Sequence, residues 1–168
     1  MGPAHPMNRA VFTPFSEKLA EVSGGKLTAT LYPGGALGGS PPQQYQLLRD
    51  GVMDIAFHIP GYTQPLFPLT TAISTPGACY GAVECTEALW RAYDELAAEF
   101  DAKILALWAN EPQVLFSKDM AIRTLEDMEG LKLRVTSPQE SPFVEAYGAS
   151  PISQPVSVIN QNLANGVI

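Results

Sequence analysis

A chain of 168 residues is long enough for one domain with a real core, or for parts of two. Its composition, 46% hydrophobic and 16% charged, excludes a disordered acidic chain. A net charge of −7 argues against nucleic acid as a partner, because phosphate binding needs a basic surface, but one arginine can still hold a small anion locally.

In chain order, Phe12, Phe15, Leu19 and Val22 recur at helical spacing, with Pro14 near the start and Gly24-Gly25 as the stop. "KLTATLY" (26–32) alternates as a strand, and "PGGALGGSPP" (33–42) is a turn-rich connection. A helix over 42–50 closes at Gly51, and "VMDIAFHI" (52–59) has the length and apolarity of a buried strand. Residues 60–81 are rich in proline and glycine and resist regular assignment, as functional loops often do. The longest predicted helix spans 82–100, with Val83, Leu89, Leu96 and Phe100 on its apolar face. Strands are predicted over 102–109 and 113–117. A short helix follows over 124–130, with Thr124 as N-cap and Asp127 three residues on, in a capping-box arrangement. A strand over 131–136, a helix over 138–148, a strand over 150–155 and a helix over 156–166 complete the series. Alternating strands and helices predict an α/β architecture.

"EGLKLRVTSP" poses the functional question. Leu131, Leu133 and Val135 alternate with Lys132, Arg134 and Thr136, so Arg134 lies near the carboxyl end of a strand, just before a loop. Ligands bind at that edge in open α/β sheets, and a guanidinium there can clamp a carboxylate through two parallel hydrogen bonds. On the strand pattern alone, the reading of Arg134 as a solvated residue like Lys132 comes first, because most arginines are exposed.

Cys79 and Cys85 show no metal-ligand spacing; they read as small buried hydrophobes, with a local disulfide as the alternative. No apolar run reaches the length of a membrane span, and "MGPAHPMNRA" lacks the apolar stretch of a signal peptide, so none is expected in this chain. No nucleophile elbow, P-loop or His-Glu-x-x-His is present, and "GGALGG" lacks dinucleotide-binding spacing. Neither an enzyme, a cofactor nor a metal is expected.

The order of elements carries a resemblance. "FSEKLAEVSGGKLTATLYPGGALGG", "QLLRDGVMDIAF", "ILALWANEPQVLFS", "IRTLEDMEGLKLRV", "AYGASPISQP" and "NLANGVI" follow one another across nearly the whole chain. The series resembles the DctP-like solute receptors of TRAP transporters. The resemblance implies a periplasmic-binding-protein-like α/β fold of two lobes, incomplete here: residues 1–115 would form most of the first lobe and 116–168 open the second. The family's first strand and its second half are expected outside this stretch, so the chain reads as a fragment with open sheet edges through which copies could pair. The implied function is capture of a small organic acid, mono- or dicarboxylate, in an interlobe cleft in the periplasm, and delivery to the membrane permease subunits.

Within that resemblance Arg134 matches the arginine that binds the substrate carboxylate. His58, at the end of a predicted strand, stands near cleft residues of the family, or bonds local backbone. Tyr62 and Trp108 would wall the cleft or belong to the core. Gln113 and Ser157 would offer hydrogen bonds to ligand. Gln113 stands where the family commonly has a second cation, and Val158 and Asn160 replace a Glu and a Tyr. The alternative function is a small-molecule enzyme or a ligand-sensing domain on a similar fold.

Overall fold

The computed structural model describes residues 2–168. The chain forms two compact units, Met1–Phe57 and His58–Ile168.

In the first unit a π-helical turn, Asn8–Phe12, runs directly into helix α1, Thr13–Val22, whose second residue is Pro14. The double glycine stops it as expected. Gly24 and Gly25 take positive φ of 61° and 78°, and Gly25 N donates to Ala20 O at 2.8 Å. Helix α2, Gln44–Arg49, is entered through a capping box between Ser40 and Gln43 and buries Tyr45. Gly39 is needed at the turn before it. Its φ is +75°, and a Cβ there would meet Leu47 Cδ1 at 2.9 Å. Phe12 meets Phe57 edge-on, ring centroids 5.7 Å apart.

The second unit holds the described sheet. Strands β1, Lys132–Val135, and β2, Ser150–Ser153, pair in parallel, with Arg134 opposite Ile152. Ser150 N to Leu131 O (2.7 Å) and Gln154 N to Val135 O (3.2 Å) extend the ladder at both ends. The crossover carries a 3₁₀ turn, Pro138–Glu140, and helix α6, Ser141–Ala146. This is the βαβ unit that the alternation at 131–155 predicts. Met128, Val135 and Ala149 are buried around it. Helix α7, Ile159–Ala164, follows a 3₁₀ turn over Val156–Val158.

The other core of this unit surrounds Phe67, which is 0% exposed. Its ring lies 4.5 Å from that of Phe100 and 5.2 Å from His58. Residues 60–81, unassigned from sequence, are mostly short helical turns: Pro60–Leu66, α3 at Pro68–Thr71, and Ala72–Ser74. Glu99 caps α3. Its carboxylate accepts Leu69 N (2.6 Å), Thr70 N (2.8 Å) and Thr70 Oγ1 (2.6 Å). Glu99→Ala leaves these three donors unpaired, and an equilibrium urea titration is expected to show a loss of about 2 kcal/mol.

Four expectations need correction. The helix predicted over 82–100 is two, α4 at Ala82–Arg91 and α5 at Tyr93–Ala97, divided at Ala92. Cys85, Leu89 and Leu96 form its buried stripe, whereas Val83 is exposed. Cys79 and Cys85 are joined as a disulfide, their Cα atoms 5.8 Å apart, within the span a disulfide bridges, so the reading as mere small hydrophobes does not hold. The helix predicted over 124–130 shrinks to a 3₁₀ turn, Glu126–Met128. The capping logic there survives in part: Asp127 Oδ2 accepts Arg123 N and Thr124 N, both at 2.9 Å, and these donors, Arg123 first, hold the Asp127 carboxyl below its ordinary range.

The strands predicted at 26–32, 52–59, 102–109 and 113–117 enter no ladder among the described residues. A strand is held by hydrogen bonds to a neighbour, so period-2 alternation alone does not make one. These segments leave large apolar side chains exposed instead, Phe116 at 88% foremost. The stretch 104–109 is held by side chains of α4 and α5: Trp90 Nε1 donates to Leu107 O, Tyr93 OH to Ile104 O, and Ala109 N to Thr86 Oγ1. Among the described residues no helix is long and apolar enough to cross a membrane.

Candidate functional site

The carboxyl edge of β1 and β2 is where both the alternation and the parallel pairing direct attention. Arg134, the penultimate residue of β1, is half-buried there. Its Nε donates to Gln154 O at 2.8 Å, just past β2, and its Nη1 to Thr136 Oγ1 at 2.9 Å. A guanidinium has five N–H donors. Two are engaged, so three, both of Nη2 among them, have no protein acceptor among the described residues. The engaged pair restrains the plane of the group, and the remaining donors are of the kind that can form a two-pronged hydrogen bond to a carboxylate.

The loop after β1 is built around a carboxylate. Glu140 is 8% exposed. Its Oε2 accepts Thr136 N at 3.1 Å and its Oε1 accepts Gln113 Nε2 at 3.1 Å. Ser137 Oγ accepts Gln139 N at 3.3 Å, starting the turn. Thr136 therefore joins two charges: its hydroxyl holds Arg134 and its N–H holds Glu140. Gln139 Nε2 donates to Thr75 Oγ1 at 3.4 Å, while its buried Oε1 has no hydrogen-bond partner among the described residues.

The turn Pro60–Leu66 comes against the same edge. A Cβ on Gly61 would lie 3.4 Å from Ser137 Cβ and 3.8 Å from Thr136 Cγ2. Tyr62 OH accepts Val156 N at 3.2 Å, which places this phenol two residues beyond the Gln154 carbonyl that holds Arg134. Ser157 follows Val156 in the exposed turn. Gln154 turns its own side chain away, Oε1 accepting Asn162 Nδ2 at 2.6 Å.

The structure thus gathers Arg134, Tyr62 and Gln113 about one strand end, with Ser157 adjacent in sequence. Gln113 reaches it as a partner of Glu140. His58 is held differently: Nε2 pairs with Thr63 Oγ1 at 3.2 Å and the ring packs on Phe67. Burial pushes its pKa down to about 4, so it is neutral near pH 7. Trp108 lies in the stretch hung on α4 and α5. Among the described residues no set of three or more His, Cys, Asp or Glu side chains could hold a metal ion.

The low value for His58 has a stability consequence. Between pH 6.5 and about 4 the unfolded chain binds a proton there that the folded chain refuses. Stability is therefore full above pH 6.5 and falls as the pH drops toward 4. Partial exposure reduces the effect to about 1–2 kcal/mol. Urea midpoints at pH 7 and pH 4.5 are expected to differ by correspondingly less in His58→Gln than in the wild type.

Thr136 and Glu140 were not singled out from sequence. A signal for Glu140 exists: Ser137-Pro138-Gln139-Glu140 is a Ser-x-x-Glu helix start, and the carboxylate reaches back one residue further than that pattern implies.

Comparison with known proteins decides the family. The model of the bacterial extracellular solute-binding proteins of family 7, DctP, matches residues 1–168. The chain belongs to the DctP family. A crystal structure of a marine metagenome TRAP solute binding protein specific for aromatic acid ligands, in complex with 3-hydroxybenzoate, is 32% identical, with a TM-score of 0.93, over 98% of this chain and 52% of that one. A TRAP solute binding protein from Rhodoferax ferrireducens, in complex with benzoate, is 34% identical with a TM-score of 0.88, over 100% and 53%. Among curated relatives, the outer membrane transporter protein TsaT of Comamonas testosteroni is 26% identical over 92% of this chain and 46% of its own length. The 2,3-diketo-L-gulonate-binding periplasmic protein YiaO of Escherichia coli is 24% identical over 92% and 48%. The DctP chain described here spans about half the length of these relatives. Its α/β fold is that of the TRAP periplasmic binding proteins, of which it carries one part. The family model, YiaO and the two solved relatives are solute-binding proteins rather than enzymes, and the enzyme or sensor alternative is not favoured.

Proposed function

We propose that this DctP chain is the ligand-anchoring portion of a periplasmic receptor that captures a small organic acid and hands it to the membrane permease of a TRAP transporter. Residues 1–115 belong to one lobe in this reading and 116–168 open the second, with the acid held in the cleft between them. The observation that carries the reading is Arg134: a guanidinium oriented by Gln154 O and Thr136 Oγ1 at a strand carboxyl edge, with its remaining donors unengaged among the described residues. Binding of 3-hydroxybenzoate and benzoate by two solved relatives supports an aromatic acid as the ligand class. Tyr62, tied by its hydroxyl to Val156 N at the same edge, supplies an aromatic surface beside the arginine. Ser157 and Trp108 complete the set of contacts in this reading. The unladdered segments also allow copies to pair, which sedimentation would reveal as a dimer.

The test is isothermal calorimetry of the full-length protein against benzoate, 3-hydroxybenzoate, mandelate, glucuronate and succinate. Saturable one-to-one binding of at least one acid is expected. Heats of dilution alone across the panel would end the reading.

A further inference from the structure

We infer that Glu140 is a specificity-determining residue that makes this site accept monocarboxylates and refuse dicarboxylates. The inference rests on the carboxylate-receptor reading of Arg134. It starts from a buried charge. Glu140 is 8% exposed, and its two oxygens accept from neutral donors, Thr136 N and Gln113 Nε2. No cation touches it among the described residues. The one cation that shares a partner with it is Arg134, through Thr136, and that cation is the group a ligand carboxylate engages, so in a site closed from water the charge of Glu140 acts over several ångströms.

It also lies close to the anchor. Thr136 hydrogen-bonds Glu140 through its N–H and Arg134 through its hydroxyl, so both charges are one hydrogen bond from a single residue. One carboxylate of a ligand is balanced by the Arg134 guanidinium. A second one finds no further cation hydrogen-bonded to Thr136, Glu140 or Gln113 among the described residues; Lys132, two residues before Arg134 on the same strand face, is turned to Gly166 O at 3.2 Å. Gln113 is neutral and already committed to Glu140, and the buried His58 is uncharged near neutral pH. A second carboxylate instead meets the field of Glu140, and like charges across a binding site are a recognised means of rejecting the wrong partner. The carboxylate also organises the turn that starts α6, and that structural role does not remove its charge.

The experiment uses three matched probes on the full-length protein: benzoate, isophthalate and 3-carbamoylbenzoate. Isophthalate and 3-carbamoylbenzoate have nearly the same shape and differ by one charge. The wild-type protein is expected to bind 3-carbamoylbenzoate at least tenfold more tightly than isophthalate. In Glu140→Gln that ratio shrinks several-fold, while Glu140→Asp retains it. Equal affinity of the wild-type protein for the two isosteric probes overturns the inference without any variant, so a variant that fails to fold does not shelter it. An unchanged ratio in a folded Glu140→Gln protein overturns it as well, because a purely structural role predicts equal losses for both probes. Binding of none of the three acids removes the carboxylate-receptor reading, and the inference falls with it.

Discussion

Arg134→Ala is expected to abolish measurable carboxylate binding in the full-length protein, with a loss of at least about 25-fold. Removing one partner of a desolvated, hydrogen-bonded charge pair costs about 2–5 kcal/mol, and each 1.4 kcal/mol is tenfold. The effect is large because the guanidinium is preoriented: Nε on Gln154 O and Nη1 on Thr136 Oγ1 restrain its plane before any ligand arrives. Arg134→Lys tests the geometry separately from the charge. An ammonium keeps the positive charge but cannot present a two-pronged fork while also holding Gln154 O, so affinity is expected to fall part of the way. Calorimetry against the acid that the wild-type protein binds best reads both variants. Wild-type affinity in Arg134→Ala would falsify the assignment of Arg134 as anchor. Equal affinity in Arg134→Lys and wild type would show that charge alone, without the fork, suffices.

The second large effect is on stability. Phe67→Ala is expected to cost about 3–5 kcal/mol, because a fully buried aromatic leaves a cavity that the surroundings refill only partly. Phe67 is 0% exposed and packs between the tilted rings of Phe100 and His58, joining the irregular stretch after residue 59 to the segment just past α5. Phe67 O also accepts from Thr71 N and Thr71 Oγ1, so the residue begins α3 with its backbone while its ring fills the core. A second readout follows from the same contact. Opening this pocket to water relieves the desolvation that holds His58 near 4, and its pKa should climb toward 6.5. Urea titration gives the first quantity and the imidazole proton shifts over pH the second. A loss below about 1 kcal/mol with an unmoved His58 would mean that the core closes over the gap.

Much of the local structure was legible because its causes are local. The Gly24-Gly25 stop of α1 and the helix predicted over 42–50, present as α2 with Gly51 past its end, are set by backbone freedom within a few residues. The βαβ unit was legible as well, since alternation at 131–136 and 150–155 flanks a helical stretch. The family could be recognised from the order of such pieces, and the match across residues 1–168 bears that out.

What failed, failed for non-local reasons. Alternation at 26–32, 102–109 and 113–117 marks segments suited to a sheet, yet a ladder needs a partner, and none pairs with them among the described residues. No proline or glycine announces the division of the long helix at Ala92. The disulfide depends on Cα atoms brought within 5.8 Å, which a six-residue spacing allows without requiring.

That Arg134 stands at the carboxyl end of a short strand in an α/β chain follows from residue order, because period-2 alternation and a terminal Ser-Pro are readable in one dimension. What that arginine can do depends on contacts across the fold. Gln154 O lies 20 residues away and Gln113 is 27 residues from Glu140. Which donors of Arg134 are spent among the described residues, and that Glu140 is held by neutral donors, follow from contacts between distant residues, and no local pattern encodes those.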